Sequence, residues 1–215
     1  MKISILCSTK VHPVFGTLLF WQKKHEFDHR IELVQSRQEL TGGDILFLVS
    51  CNELIKQDIR DRYKATLVIH ASNLPEGRGW SPHIWQIIEG KKEITVNLLE
   101  AEDKVDSGAI WTQRILQFEG HELYDEINEK LFAIESELMD FALENFQQIS
   151  PIPQHEVEPT YYCKRTPEDS RIDPDKSIAE QFDLLRVADP ARFPAIFNLR
   201  GHCYRITIEK VKLTE

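Results

Sequence analysis

The chain has 215 residues, 41% of them hydrophobic and 28% charged, enough to bury one sizeable core and carry a small appendage. Its 35 acidic and 26 basic residues leave a formal net charge of −9, which argues against a surface built to grip nucleic acid, because such a surface displaces counterions with lysine and arginine. No apolar run approaches the roughly 20 residues of a membrane span, and the short run 3–7 leads into Thr9, Lys10 and His12 without a cleavage site, so a cytoplasmic protein is expected.

Residues 2–7 alternate into an apolar strand, with a loop over 8–13 behind it. Residues 14–24, carrying Phe15, Leu18, Leu19 and Trp21, predict a helix, and 30–34 a second strand. Gly42, Gly43 and Asp44 turn the chain into 45–49, a fully apolar run of the kind buried inside a parallel sheet. A short helix is expected over 53–63 and a further strand over 65–69. Strands alternating with helices at this spacing give the expected fold class, α/β with a mainly parallel sheet.

A helix over 83–89 ends at Gly90, and two strands, 93–100 and 109–116, follow with a turn-rich loop between them. Over 121–147, Leu123, Ile127, Leu131, Ile134, Leu138 and Phe141 recur every three or four positions, which makes a long helix with one packing face. Pro151, Pro153 and Pro159 break the stretch 151–159 into a linker. Beyond it come the segment 161–165, a helix near 177–186 and an alternating strand over 203–211. The expected division is a main domain over 1–150, then a linker and small C-terminal α/β subdomain over 151–215. The four cysteines, Cys7, Cys51, Cys163 and Cys203, stand singly, without the paired spacing of a zinc site or a disulfide framework.

The chemistry concentrates in the segment Val68-Ile69-His70-Ala71-Ser72-Asn73-Leu74-Pro75-Glu76-Gly77-Arg78-Gly79-Trp80-Ser81-Pro82. A strand running into it sets His70 just past the carboxyl end of that strand, the edge where open α/β sheets bind ligands. Further on, Asp106 lies in Asp103-Lys104-Val105-Asp106-Ser107-Gly108-Ala109-Ile110. His12, in the loop after the first strand, faces the same crevice on this reading or is simply a loop residue. His25, His29, His121, His155 and His202 sit in polar surroundings and read as surface. Trp80, Trp85 and Trp111 are by base rate core residues, although Trp80 follows Arg78-Gly79 and is a candidate for the acceptor pocket.

The His-x-Ser-x-Leu-Pro and Arg-Gly pattern resembles that of the folate-dependent formyltransferases, and Asp106 fits the family's Asp-(Thr/Ser)-Gly loop at the matching spacing. The stretch from Tyr161 to Asp173, with Arg165, Pro167, Asp169 and Ile172, is similar to the segment that opens the C-terminal part of many members. Within the family the sequence most resembles the sugar N-formyltransferases, in particular those that formylate a UDP-linked 4-amino-4,6-dideoxy sugar on the route to pseudaminic acid derivatives.

The resemblance implies a Rossmann-like domain that moves a formyl group from N10-formyltetrahydrofolate to an amine, leaving tetrahydrofolate. It implies His70 and Asp106 as catalytic residues. It places the pterin against Leu67, Val68, Ile69, Glu102, Asp103 and Val105, and the acceptor near His12, Arg78, Gly79, Trp80, Lys164 and Arg165. In such a reaction the attacked formyl carbon passes through a tetrahedral intermediate, a histidine near neutral pH takes the amine's proton, and a carboxylate orients the ring. A donor to the oxyanion completes the set.

One position departs from the family. Its asparagine, two residues before the histidine, is Val68, which has no donor. Asn73 is the nearest amide and a candidate replacement, with a backbone amide, water or protonated His70 as alternatives, and loop ordering as the plain structural role of Asn73. Other acceptors on the same site are glycinamide ribonucleotide, methionyl-tRNA or water, and a non-catalytic folate or nucleotide-sugar sensor is the reading from another class. No nucleic acid, membrane or metal partner is expected, and the oligomeric state stays open, a homodimer included.

Overall fold

The computed structural model describes residues 1–211. In chain order its elements are β1 Lys2–Leu6, α1 Val14–His25, β2 Arg30–Val34, β3 Gly43–Leu48, α2 Gln57–Arg60, β4 Tyr63–His70, β5 Arg78–Gly79, α3 Pro82–Ile88, β6 Glu93–Glu100, β7 Ile110–Gln117, α4 Tyr124–Asn145, β8 Tyr161–Tyr162, α5 Phe182–Arg186, β9 Ala195–Leu199 and β10 His202–Ile206. Six strands make the central sheet in the order β2-β1-β3-β4-β6-β7. The first four run parallel, and β6 and β7 are antiparallel to their neighbours, so the sheet is mainly parallel as expected.

Strand alternation sorts the apolar residues to two faces. Ile3, Ile5, Ile45, Phe47 and Leu67 point to the side covered by α1 and α4, while Leu6, Leu46 and Leu48 pack with Ile55, Ile59 and Tyr63 on the other. Helix α4 buries Ile127, Leu131, Leu138, Met139 and Ala142 against the first face. A hydrogen bond of 2.6 Å from Trp21 Nε1 to Asp140 Oδ1 ties α1 to α4. Among the described residues no helix is long and apolar enough to cross a membrane.

Three expectations change. The helix expected over 53–63 shrinks to the single turn of α2, because the sheet claims Tyr63 as the first residue of β4. The Tyr63 hydroxyl accepts from Gly42 N at 3.1 Å and donates to Ser4 Oγ at 2.8 Å, bonds a helical Tyr63 would lose. Residues 195–199 form a strand that the sequence reading left unassigned, and its partner ends at Ile206 rather than running to 211. The stretch 151–159 is woven into the main domain: Ile152 exchanges both backbone bonds with Ile110, at 2.8 Å each.

Candidate active site

Strand β4 delivers His70 to the carboxyl edge of the parallel strands, where it is 5% exposed. The register of β3 against β4 ends at Leu48↔Val68, so the backbone of Ile69 and His70 has no strand partner on that side. On the other side β6 continues to the pair His70↔Asn97. Fully buried Asn97 donates to the carbonyls of His70 (3.0 Å) and Ser72 (2.6 Å) and accepts from Gln113 Nε2 (2.7 Å), which fixes the exit from the strand.

The loop after β4 folds back onto the imidazole. His70 Nε2 lies 2.9 Å from the carbonyl of Gly77, and Nδ1 lies 3.3 Å from Asp106 Oδ2. A carbonyl oxygen and an ionised carboxylate both only accept, so each ring nitrogen of His70 faces an acceptor, an arrangement that stabilises an imidazolium. Gly79 N donates to the same carboxylate oxygen at 2.9 Å, and Asp106 itself stands in left-handed backbone, with φ of 52°.

This loop needs its glycines. Gly79 has φ of +98°, and a Cβ there would meet the Tyr162 carbonyl at 2.5 Å; at Gly77, φ is +71° and a Cβ would meet the Tyr162 ring at 2.8 Å. The pressure comes from the C-terminal segment, whose β8 pairs with β5. Thr160 Oγ1 accepts from Gly77 N at 2.8 Å. Gln154 donates to the carbonyls of Asp106 (2.8 Å) and Gly108 (3.0 Å) and accepts from Arg78 Nη2 (2.7 Å). Sequence reading missed Gln154, and no motif marked it.

Beside the Asp106 loop opens a cleft of about 480 Å³, walled in part by Arg78, Lys104, Gly108, Gln154 and His155. Of the residues expected to face the pterin, Glu102 and Asp103 line this cleft, and Asp103 also pairs with Arg60 at 2.8 Å. Leu67 is sealed in the sheet, Val68 packs partly against the Leu6–Leu48 face, and Val105 is exposed. The side chain of Asn73 is exposed and makes no hydrogen bond to the described residues, so no bond assigns it to His70 or to ordering its loop.

The expected acceptor residues fall into three places. Arg78 belongs to the cleft, its guanidinium 6% exposed with Nε unpaired. Trp80 is 40% exposed, with Lys164 Nζ 4.8 Å from its ring centre. His12 and Arg165 fall in a third region with Arg192 and with His83, in the first turn of α3, which the sequence reading did not single out. Burial first, and then the Arg192 charge, push His12 down to about 4. Burial and then His12, Arg165, His70 and Arg192 push His83 down to about 3. Both rings are neutral at physiological pH. The signal for His83 was its position behind Ser81-Pro82: Pro82 is the first helical residue, which sets the histidine in the opening turn facing the crevice groups.

The profile of the formyl transferase family matches residues 7–143. A methionyl-tRNA formyltransferase from Enterococcus faecalis is 39% identical over 117 residues, which is 54% of this chain and 37% of that protein. The matched stretch thus spans little more than a third of that relative. HypX from Aquifex aeolicus, solved in complex with tetrahydrofolic acid, superposes with a TM-score of 0.77 at 22% identity, over 97% of this chain and 37% of that one. A sugar N-formyltransferase from a Shewanella species superposes with a TM-score of 0.72 at 16% identity, over 99% of both chains.

Proposed function

The chain belongs to the formyl transferase family, and from that premise we propose that it transfers a formyl group from N10-formyltetrahydrofolate to the amine of a nucleotide-linked amino sugar, with a UDP-linked 4-amino-4,6-dideoxy sugar as the specific candidate. The observation that carries the transfer chemistry is the buried pair of His70 and Asp106, with Nδ1 of the ring 3.3 Å from the carboxylate.

The residues present fit a reduced folate. A flat ring rich in donors and acceptors matches the edge of β4 at Ile69, past its last pair with β3, and the anionic tail matches a cleft holding Arg78, whose Nε lacks a partner, together with Lys104. Glu102 and Asp103 would border the same molecule. Bound there, the folate supplies an activated formyl carbon to the attacking amine.

The rest is done by the chain. The pair of His70 and Asp106 takes the amine's proton, and the carboxylate beside Nδ1 stabilises the imidazolium, a task usually worth ~10²–10⁴-fold. Gly79 N–H and Gln154 keep Asp106 in position without help from ligand. Val68 offers nothing to the negative charge that develops on the formyl oxygen, so protonated His70 or a backbone N–H of the loop carries that role.

The acidic net charge of −9 favours a small acceptor over a polyanion. The sequence relative from E. faecalis favours a second acceptor, methionyl-tRNA. Purified chain incubated with N10-formyltetrahydrofolate and, separately, a UDP-amino sugar, glycinamide ribonucleotide or methionyl-tRNA decides between them. Formylated product is expected with the amino sugar alone. Product with methionyl-tRNA only would replace the acceptor, folate turnover without any acceptor would make the protein a hydrolase, and no turnover at all would make it a sensor.

A further inference from the structure

The catalytic loop and the folate cleft share one side chain. The antiparallel bonds between Ile152 and Ile110, at 2.8 Å each, fix the register of the stretch 151–159 against the start of β7. Carried on by two residues, that register sets Gln154 opposite Gly108. From there its amide reaches both the Asp106 loop and Arg78.

Both ends of that amide are used. Nε2 donates to the carbonyls of Asp106 at 2.8 Å and Gly108 at 3.0 Å, and Oε1 accepts from Arg78 Nη2 at 2.7 Å. Two carbonyls at one end and a guanidinium at the other allow a single orientation of the amide. The contacts also close a circuit. Arg78 is followed by Gly79, whose N–H donates to Asp106 Oδ2 at 2.9 Å, and Asp106 returns through its own carbonyl to Gln154.

The loop needs such an anchor. Asp106 holds a φ of 52°, a left-handed backbone that a residue with a side chain keeps only where its surroundings impose it. Behind the loop, Gly108 lies so close to β6 that a Cβ would run into the Glu100 carbonyl; in front of it stands Gln154. At the other end of the circuit Arg78, 6% exposed, spends Nη2 on Gln154 and keeps a buried Nε with no partner among the described residues.

We propose that Gln154 is a positioning residue: by clamping Arg78 and the Asp106 loop with one amide, it sets the folate's formyl carbon in register with His70 and Asp106. The proposal rests on the formyl transfer reading for the ligand and the reaction; the clamp itself stands on the bonds above. A ligand oxygen taken by Arg78 is held through Gln154 at a fixed distance from the carboxylate beside His70. A misplacement of about 1 Å costs on the order of 10²-fold in rate, so the clamp acts on turnover more than on affinity. It also makes the stretch 151–159 part of the active site, although the family profile ends at residue 143.

The test is steady-state kinetics of the full chain with N10-formyltetrahydrofolate and the acceptor on which it turns over. Gln154→Met keeps the length and loses all three bonds, and Gln154→Glu turns an oxygen toward the two carbonyls. Each should lower kcat by ~10-fold or more. Tetrahydrofolate affinity, read by calorimetry, should stay within about threefold, which certifies that the variant is folded. In an Asp106→Ala background Gln154→Met should cost no more than about threefold further, because it acts through Asp106. A smaller loss of kcat, an equal loss of folate affinity, or the same loss in both backgrounds overturns the proposal. Nitrogen-15 NMR gives a readout without turnover: the His70 Nδ1 resonance should shift in Gln154→Met in the direction it shifts in Asp106→Asn, and an unchanged resonance overturns the clamp. The expected shift in a protein that transfers no formyl group would sink the function proposed above and leave the clamp intact.

Discussion

Two walls meet at His70, and they are finished to different degrees. On the Asp106 side Gly77, Gly79, Gln154, Thr160 and Asn97 close a network that holds ring and carboxylate in place, with Arg78 Nε and Ser72 Oγ left unpaired around it. On the Arg165 side, guanidinium and imidazole groups stand buried or half-buried with donors and acceptors unused. The difference separates two tasks. Groups that move a proton must be held before substrate arrives, whereas groups that recognise a ligand are completed by it.

The largest effects should come from breaking the finished wall at its centre. His70→Ala is expected to remove most turnover, on the order of 10²–10⁴-fold, and Asp106→Ala a comparable amount. The double variant should be little worse than either, because the two act as a unit; steady-state kinetics of the three variants checks this. Gly79→Ala strikes the same wall from behind. It asks alanine to accept a φ of +98° and to stand 2.5 Å from the Tyr162 carbonyl, so loss of activity should be accompanied by a lower melting temperature.

Glu135 lies one turn beyond Phe132, whose ring is 6.3 Å from that of His12. Glu135 Oε2 is sealed without a partner, and burial pushes the carboxyl up to about 8. From the ordinary value of 4.5 up to about 8, the folded protein therefore keeps a proton that the unfolded chain has released. Stability should fall as pH rises through that window, by at most about 1.4 kcal/mol per unit. Denaturant melts at pH 5, 6, 7 and 8 should show a flatter dependence in Glu135→Gln.

The smallest effect is expected at Asn73. An exposed amide in water is a weak stabiliser of developing charge, so Asn73→Ala should stay within about twofold of wild-type turnover. A tenfold loss would bring Asn73 to the formyl oxygen after all. Val68→Asn is the companion experiment, and a gain in turnover would locate the missing donor at that strand position.

How much of this was legible in the sequence follows the same division. The parallel strands, α1 and α4 announce themselves by local period, and the His70 and Asp106 segments by motif. The hairpin of β9 and β10 was readable but overlooked: Arg200 and Gly201, with φ of 50° and 82°, form the two-residue turn that such hairpins favour. The end of the helix expected over 53–63 was not readable, because the bonds of Tyr63 to Gly42 and Ser4 are made across the sheet. Gln154 was hidden for the same reason: it acts through Asp106, far along the chain, and stands in no motif. Sequence pattern thus exposes the residues that do chemistry, while the clamps that hold them depend on tertiary contacts.

The account turns on a finished wall that presents Nδ1 of His70 to Asp106 before any ligand binds. Nitrogen-15 NMR of the imidazoles in the ligand-free protein reads this directly. A hydrogen should reside on Nε2, bonded to the Gly77 carbonyl and slow to exchange. A ring without a hydrogen on Nε2, or one averaging rapidly between the two tautomers, would contradict the account.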